Sequence, residues 1–211
     1  MAIGRFITFE GGEGCGKSTQ VKRLKTALES RGIEVLLTRE PGGTLLNEEI
    51  RHLIKDQKDE APVDKCELLL FLSARAQLCE KVIRPALAEG KWVISDRFCD
   101  STFAYQGYGR GMDLTEIKRI NKFATAGLMP DMTILLDVPP EVARVRMRAR
   151  EEMTSTTADR IELAGNAFHE RLRSGFLEMQ AAEPERIKLV NAVGAPDEVE
   201  SEIWKLIAPI L

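Results

Sequence analysis

The stretch FEGGEGCGKSTQ, residues 9–20, decides how the rest of the chain is read. Within it, residues 11–18 (GGEGCGKS) fit the pattern G-x-x-x-x-G-K-[ST] in full. An apolar run at 3–9 precedes it. Behind it, Val21, Leu24, Ala27 and Leu28 recur at helical spacing, with Gly32 as a stop. Strand, glycine loop and helix in that order make a phosphate-binding loop. Its glycines let backbone N–H groups turn inward around phosphate oxygens, and the helix N-terminus adds partial positive charge. Lys17 reaches toward a β- or γ-phosphate and Ser18 offers a hydroxyl to Mg²⁺. The competing reading, a glycine-rich turn that binds nothing, is disfavoured because motif and context agree. The stretch also carries two carboxylates, Glu10 and Glu13, and no arginine, which is an odd charge for a triphosphate cradle.

Outward from this loop, further short apolar runs read as strands at 34–38, 92–95, 133–136 and 187–190. The third ends at Asp96 and the fourth at Asp137. A long helix is predicted from Asp64 toward Leu87, with Asp64 and Glu67 at capping-box spacing and Pro85 kinking or ending it. Other helices start at Pro139-Pro140 and near Pro196. Strands alternating with helices imply an α/β fold, a mostly parallel sheet of five strands covered on both faces. Residues 39–44 (REPGGT) read as a turn. Residues 150–159 (REEMTSTTAD) are polar, interrupt two helical patterns and read as a lid. The 211 residues fit one domain.

A net charge of -3 argues against non-specific nucleic-acid binding. There is no signal peptide or membrane span in the N-terminal pattern. Cys15, Cys66, Cys79 and Cys99 lack metal-site spacing and read as reduced thiols of a cytoplasmic protein. A guanine-reading switch is excluded, since Asn121-Lys122 is followed by no aspartate and no DxxG follows the third strand. His52 and His169 lie near no motif and read as surface or packing residues. An acceptor that is already an anion, such as a phosphate monoester, needs no general base, so scarce histidine favours it weakly. Asp96 and Arg97 end a predicted parallel strand, where ligands of open α/β sheets bind. Asp96 could hold Mg²⁺ and Arg97 could bridge two phosphates, with a surface ion pair as the alternative. Phe71 and Arg75, four apart on the long helix, share a face that offers a stacking platform and a planar donor fork. Phe71 taken alone, among leucines, also suits a core. Arg144, Arg146, Arg148 and Arg150 precede the lid and spread around a helix, as a solvated basic helix would also show.

Taken together, EGGEGCGKST (10–19), TREPGGT (38–44), FLSARAQ (71–77), DRF (96–98), STFAYQGYGRG (101–111), LDVPPEVA (136–143) and the arginine-rich lid resemble the bacterial type of the thymidylate kinase family. The resemblance covers nearly the whole chain. It implies a P-loop nucleoside monophosphate kinase fold with a mobile lid at about 146–160. The implied activity is transfer of the ATP γ-phosphate to dTMP, giving dTDP and ADP, with Mg²⁺, in a homodimer packed through long helices and with no nucleic-acid or membrane partner. It assigns ATP to Gly11, Gly12, Glu13, Gly14, Cys15, Gly16, Lys17, Ser18 and Thr19, with Arg146 stacked on adenine and residues 191–196 over its other side. It assigns dTMP to Glu13, Arg39, Pro41, Phe71, Arg75, Arg97, Thr102, Tyr105 and Gln106. Phe71 is the family's stacking residue for thymine, Arg75 meets its carbonyl edge, and Tyr105 packs near the sugar, where it would crowd a ribose 2′-hydroxyl. Arg39 and Arg97 hold the acceptor phosphate, and the Glu40–Pro41 bond is often cis in the family. Ser18 and Asp96 are the metal pair, and Lys17, Asp96 and Arg97 belong to the catalytic set. Family members keep a transition-state arginine either in the phosphate loop or in the lid. With Glu13 and Cys15 in the loop's variable positions, the resemblance assigns it to the lid, at Arg150 ahead of Arg148 and Arg160. Rival readings are a kinase for another nucleoside monophosphate, a deoxynucleoside kinase with a hydroxyl acceptor, and a nucleotide-binding regulator without turnover.

Overall fold

A computed structural model describes residues 4–56, 60–154 and 165–211. Five parallel strands form one sheet: β1 (Phe6–Glu10), β2 (Val35–Arg39), β3 (Trp92–Asp96), β4 (Met132–Asp137) and β5 (Ile187–Asn191), in the order β2-β3-β1-β4-β5. The central strands are buried on both faces, and period-two alternation divides their side chains between two layers. Ile7, Phe9, Ile134 and Leu136 pack with Val21, Leu24 and Leu28 of α1 (Lys17–Glu29) and Val199 and Ile203 of α9 (Pro196–Ile207). On the other face, Leu135 and Ile187 pack with α2 (Leu45–Lys55), α3 (Asp64–Leu78) and α8 (Asn166–Ala182). The chain leaves β1 toward β2 and β3 on one side and later returns to β4 on the other. The C-terminal end of β1 is therefore the topological switch point, and the glycine loop starts there.

Each predicted strand is present to within a few residues. One helical expectation is corrected, and of the two alternatives at Pro85, a kink or an end, the end is ruled out. Asp64 and Glu67 form no capping box: Val63 is the N-cap of α3 and has no capping side chain, while the Glu67 carboxylate is buried against Arg110. Nor does the helix end at Pro85. A wider π-helical turn, Cys79–Ile83, joins α3 to α4 (Arg84–Ala88), and the Arg84 N–H reaches back to the Cys79 carbonyl. Proline has no N–H for the carbonyl four residues back, and the wider turn admits it. Helix α2 was unread, although Thr44 caps it by accepting from the Asn47 N–H at 3.2 Å. So was α6 (Leu114–Ala124), capped by Asp113, which accepts from Thr115 at 2.7 Å and Glu116 at 3.0 Å. Between β3 and α6, α5 (Cys99–Thr102) runs into a second π-helical segment, Phe103–Gly109. Helix α7 (Pro140–Thr154) extends into the polar segment expected to be a lid; residues 155–159 of that segment, with Arg160, lie outside the described residues. Among the described residues no helix is long and apolar enough to cross a membrane.

Candidate active site

The loop after β1 has the backbone its glycines require. Gly11 has φ 132°, and a Cβ there would collide with the Leu136 carbonyl oxygen. Gly14, at φ 70°, would meet the Ala143 carbonyl at 2.6 Å. Lys17 Nζ folds back over the loop and donates to the carbonyls of Gly11 (3.0 Å) and Gly12 (2.7 Å). Ser18 Oγ donates to Asp96 Oδ2 at 2.8 Å, so a hydroxyl and a carboxylate stand together at the loop. Two hard oxygen donors there fit a magnesium ion that arrives with a nucleotide.

The parallel ladder brings the ends of three strands into line. Phe9 is in register with Asp96, and Arg39 with Asp96 on the other side. Beyond the ladder, Arg97 N–H donates to the Phe9 carbonyl and Glu40 N–H to the Asp96 carbonyl, both at 3.0 Å. Arg97 holds a left-handed φ of 73° without being glycine. Glu10 anchors the turn behind it. This buried carboxylate accepts from Phe98 N–H (2.8 Å), Ser101 N–H (3.2 Å) and Ser101 Oγ (2.6 Å). Arg97 in turn ion-pairs with Glu13 and donates to the Gly11 carbonyl at 3.1 Å, and its guanidinium lies 5.0 Å from the Tyr105 ring centroid. Tyr105 donates its hydroxyl to Glu13 at 3.1 Å. Burial would raise the Glu13 pKa, but Arg97, Lys17 and Lys55 outweigh it and hold the carboxyl well below its usual range.

Glu10 goes the other way. Burial, reinforced by the Asp100 charge, outweighs Arg97 and the hydrogen bonds from Ser101 and Phe98, and raises its pKa from 4.5 to about 7. The folded state thus binds a proton that the unfolded chain releases. This contribution to stability is complete below pH 4.5 and is lost as pH rises through 7. Relative to Glu10→Gln, the wild type is expected to lose about 3 kcal/mol of unfolding free energy across that window. Urea melts from pH 4.5 to 8 check it, and a wild type that gains stability relative to Glu10→Gln as pH rises would contradict it.

Two pockets meet at this turn. The larger, about 810 Å³, runs from the loop past Asp96 and Arg39 to Arg146 and Pro196. The narrower is walled by Pro41, Phe71, Arg75, Thr102, Tyr105 and Gln106. Glu13, Glu40, Lys55 and Arg97 line both. Arg146 donates to the carbonyls of Ala192 and Val193, both at 2.8 Å, which ties α7 to the loop before α9. Arg39 pairs with Glu48 at 2.9 Å, and the Glu40–Pro41 bond is cis. Arg75 is buried, and all five of its N–H groups have acceptors: Glu40 twice, Thr102 (2.7 Å), Asn121 (2.6 Å) and the Phe98 carbonyl (3.0 Å). Burial opposes charge on Arg75, and Glu40 more than offsets it, raising its pKa.

Sequence reasoning placed the phosphate loop, Arg39, Asp96, Arg97 and the Phe71/Arg75 face, and these converge. Arg148 is exposed and lines neither pocket, and nothing is described of the Arg150 side chain. His52 sits at the rim of the larger pocket beside Asp56, and His169 packs edge-on against Phe168. The missed residues are on α2: Arg51 and Lys55, four apart, both face the larger pocket. Thr44 ahead of the apolar spacing Ile50, Leu53, Ile54 was the signal that would have exposed them.

A five-stranded parallel sheet with a phosphate loop at its switch point and a second pocket sharing its wall defines a P-loop nucleoside monophosphate kinase fold. A crystal structure of thymidylate kinase from Ehrlichia chaffeensis superposes with a TM-score of 0.78 at 35% identity, covering 97% of this chain and 98% of that one. The family model described as thymidylate kinase matches residues 9–203. Thymidylate kinases of Solidesulfovibrio magneticus (44% identical, 98% of this chain, 100% of the relative) and a Synechococcus species (47%, 98% and 95%) align over almost their full lengths. The chain belongs to the thymidylate kinase family.

Proposed function

We infer that the chain is an ATP:dTMP phosphotransferase that transfers the γ-phosphate of ATP to dTMP, giving dTDP and ADP. The observation that carries this is the pair of pockets meeting at Arg97 and Glu13, in a chain of this family. ATP takes the larger pocket: its phosphates on the loop of Gly11, Gly12, Glu13, Gly14, Cys15, Gly16, Lys17, Ser18 and Thr19, its base against Arg146. The dTMP base takes the narrower one against Phe71, with Arg75, Thr102 and Gln106 at its edge, and its sugar lies beside Tyr105 and Pro41. Since every Arg75 N–H already has an acceptor, a base carbonyl shares one of them. Arg39 and Arg97 hold the acceptor phosphate, whose oxygen forms the new bond to the γ-phosphorus as the bond to ADP breaks. No proton need be removed first, so the residues position the groups and neutralise charge. Ser18 and Asp96 would hold Mg²⁺, which when bound offsets charge on the donor phosphates.

A lid over residues 146–160 supplies the remaining cation from Arg150 or Arg148, which ties closure to chemistry. Leu69 on α3 and Phe123 on α6, 62% and 88% exposed, offer an apolar face to a second copy, and sedimentation velocity tests the homodimer. Cytoplasmic placement accords with four free thiols. The whole reading is tested by ADP release with Mg-ATP across a panel of nucleosides and nucleoside monophosphates. Turnover that peaks with dTMP supports it; a preference for a nucleoside, or binding without turnover, overturns it. Within that reading Phe71→Leu raises KM for dTMP about tenfold or more with kcat nearly kept, the loss of one base–aromatic stack. An unchanged KM makes Phe71 a core residue only.

A further inference from the structure

Gln106 lines the narrower pocket yet is only 2% exposed. Its amide nitrogen, Nε2, donates to Glu67 Oε1 at 2.9 Å. Glu67 is itself buried, at 1% exposure. Arg110 grips it from the far side, Nε to Oε1 at 2.8 Å and Nη2 to Oε2 at 2.8 Å, and Asp64 braces Arg110 at 3.1 Å. An ionised carboxylate only accepts hydrogen bonds, so the end of the amide facing it must be the NH₂. The carbonyl oxygen is then the end left over, and no hydrogen bond to it is made among the described residues. In the same pocket wall, the Thr102 hydroxyl accepts from Arg75 and so keeps its own hydrogen to give.

We propose that Glu67, held by Arg110, is a positioning residue that fixes the sense of the Gln106 amide, so that the pocket presents an acceptor next to a donor and selects bases that carry a ring N–H beside a carbonyl. The proposal rests on the reading that the narrower pocket takes the base. A thymine or uracil edge offers the complementary N–H and C=O. A cytosine edge offers a bare ring nitrogen and an amino group, which puts acceptor against acceptor and donor against donor. Rotating the amide would suit cytosine, but that would turn a carbonyl oxygen onto a buried carboxylate. Discrimination by unpaired buried groups of this kind is strong.

The test measures kcat and KM for dTMP and for dCMP, with saturating Mg-ATP, in the wild type, Glu67→Gln, Gln106→Leu and the double variant. A glutamine at position 67 can face either amide end. Glu67→Gln is expected to lower the dTMP-over-dCMP ratio of kcat/KM at least tenfold, mostly through KM, and to add nothing in the Gln106→Leu background. Should Glu67→Gln fold poorly, Glu67→Gln with Arg110→Met removes the stranded cation and carries the same expectation. An unchanged ratio with equal KM increases for both substrates overturns the lock. So does a Glu67→Gln effect that persists without Gln106. An unchanged dTMP KM in Gln106→Leu instead overturns the placement of the base itself, which separates the two failures.

Discussion

Replacing Arg97 with alanine is expected to lower kcat about a thousandfold while ATP affinity changes by less than about threefold. The guanidinium stands on the wall common to both pockets, which is where the proposed reading has the donor and acceptor phosphates meet. Its position is fixed from three directions: the Phe9 carbonyl holds its N–H, Glu10 holds the turn behind it, and Glu13 pairs with its side chain. A group so preorganised acts where charge is redistributed during transfer, so its loss appears in kcat rather than in ATP binding. Alanine at φ 73° also strains the backbone, which confuses a single substitution. Arg97→Gly relieves that strain and is expected to match alanine in rate while exceeding it in stability. Lysine keeps the charge but not the planar fork, and is expected to recover little. Steady-state kinetics with titration of a fluorescent ATP analogue separate these effects, and near-normal turnover in either variant would refute the bridging role.

For Arg75→Ala the large effect is on folding. The side chain is 1% exposed, and its removal leaves the Glu40 carboxylate and the Asn121 amide oxygen without their donor, while the Phe98 carbonyl keeps only the Ser101 N–H. Breaking a buried pair by deleting one partner costs about 3–5 kcal/mol, and for a chain of this size that lowers Tm by roughly 10 °C or more. Arg75→Met together with Glu40→Gln leaves no stranded charge and is expected to recover at least half of the loss. Denaturant midpoints of the two variants decide the matter. A single variant no less stable than the double would mean that the pair contributes little. Arg75 is thus a strut joining the cis-proline turn to α3 as well as a wall of the narrower pocket.

Much of this architecture is legible in the amino-acid order because the strands of a parallel sheet are buried on both faces. Runs such as VIS before Asp96 and ILL before Asp137 have few other places to go. The phosphate loop is legible because its backbone demands glycines at fixed places. Legibility fails where partners are distant in sequence. Nothing local to Glu67 distinguishes a capping carboxylate from one buried against Arg110, 43 residues away. Asn121 reads as part of a failed guanine motif, whereas its side chain serves Arg75, 46 residues back. Arg51 and Lys55 stayed hidden for a different reason: the glycine turn ahead of α2 masks a short helix whose cap and apolar face are both present.

The wall held in common by the two pockets has an energetic corollary. Glu13, Glu40, Lys55 and Arg97 border both cavities, so a ligand in one changes the electrostatic surroundings of the other. Linkage then requires reciprocity: whatever factor the nucleoside triphosphate applies to the affinity for the monophosphate, the monophosphate applies in return. On the proposed placement of the substrates, the four side chains that divide the pockets are also the means by which each substrate reports its presence to the other.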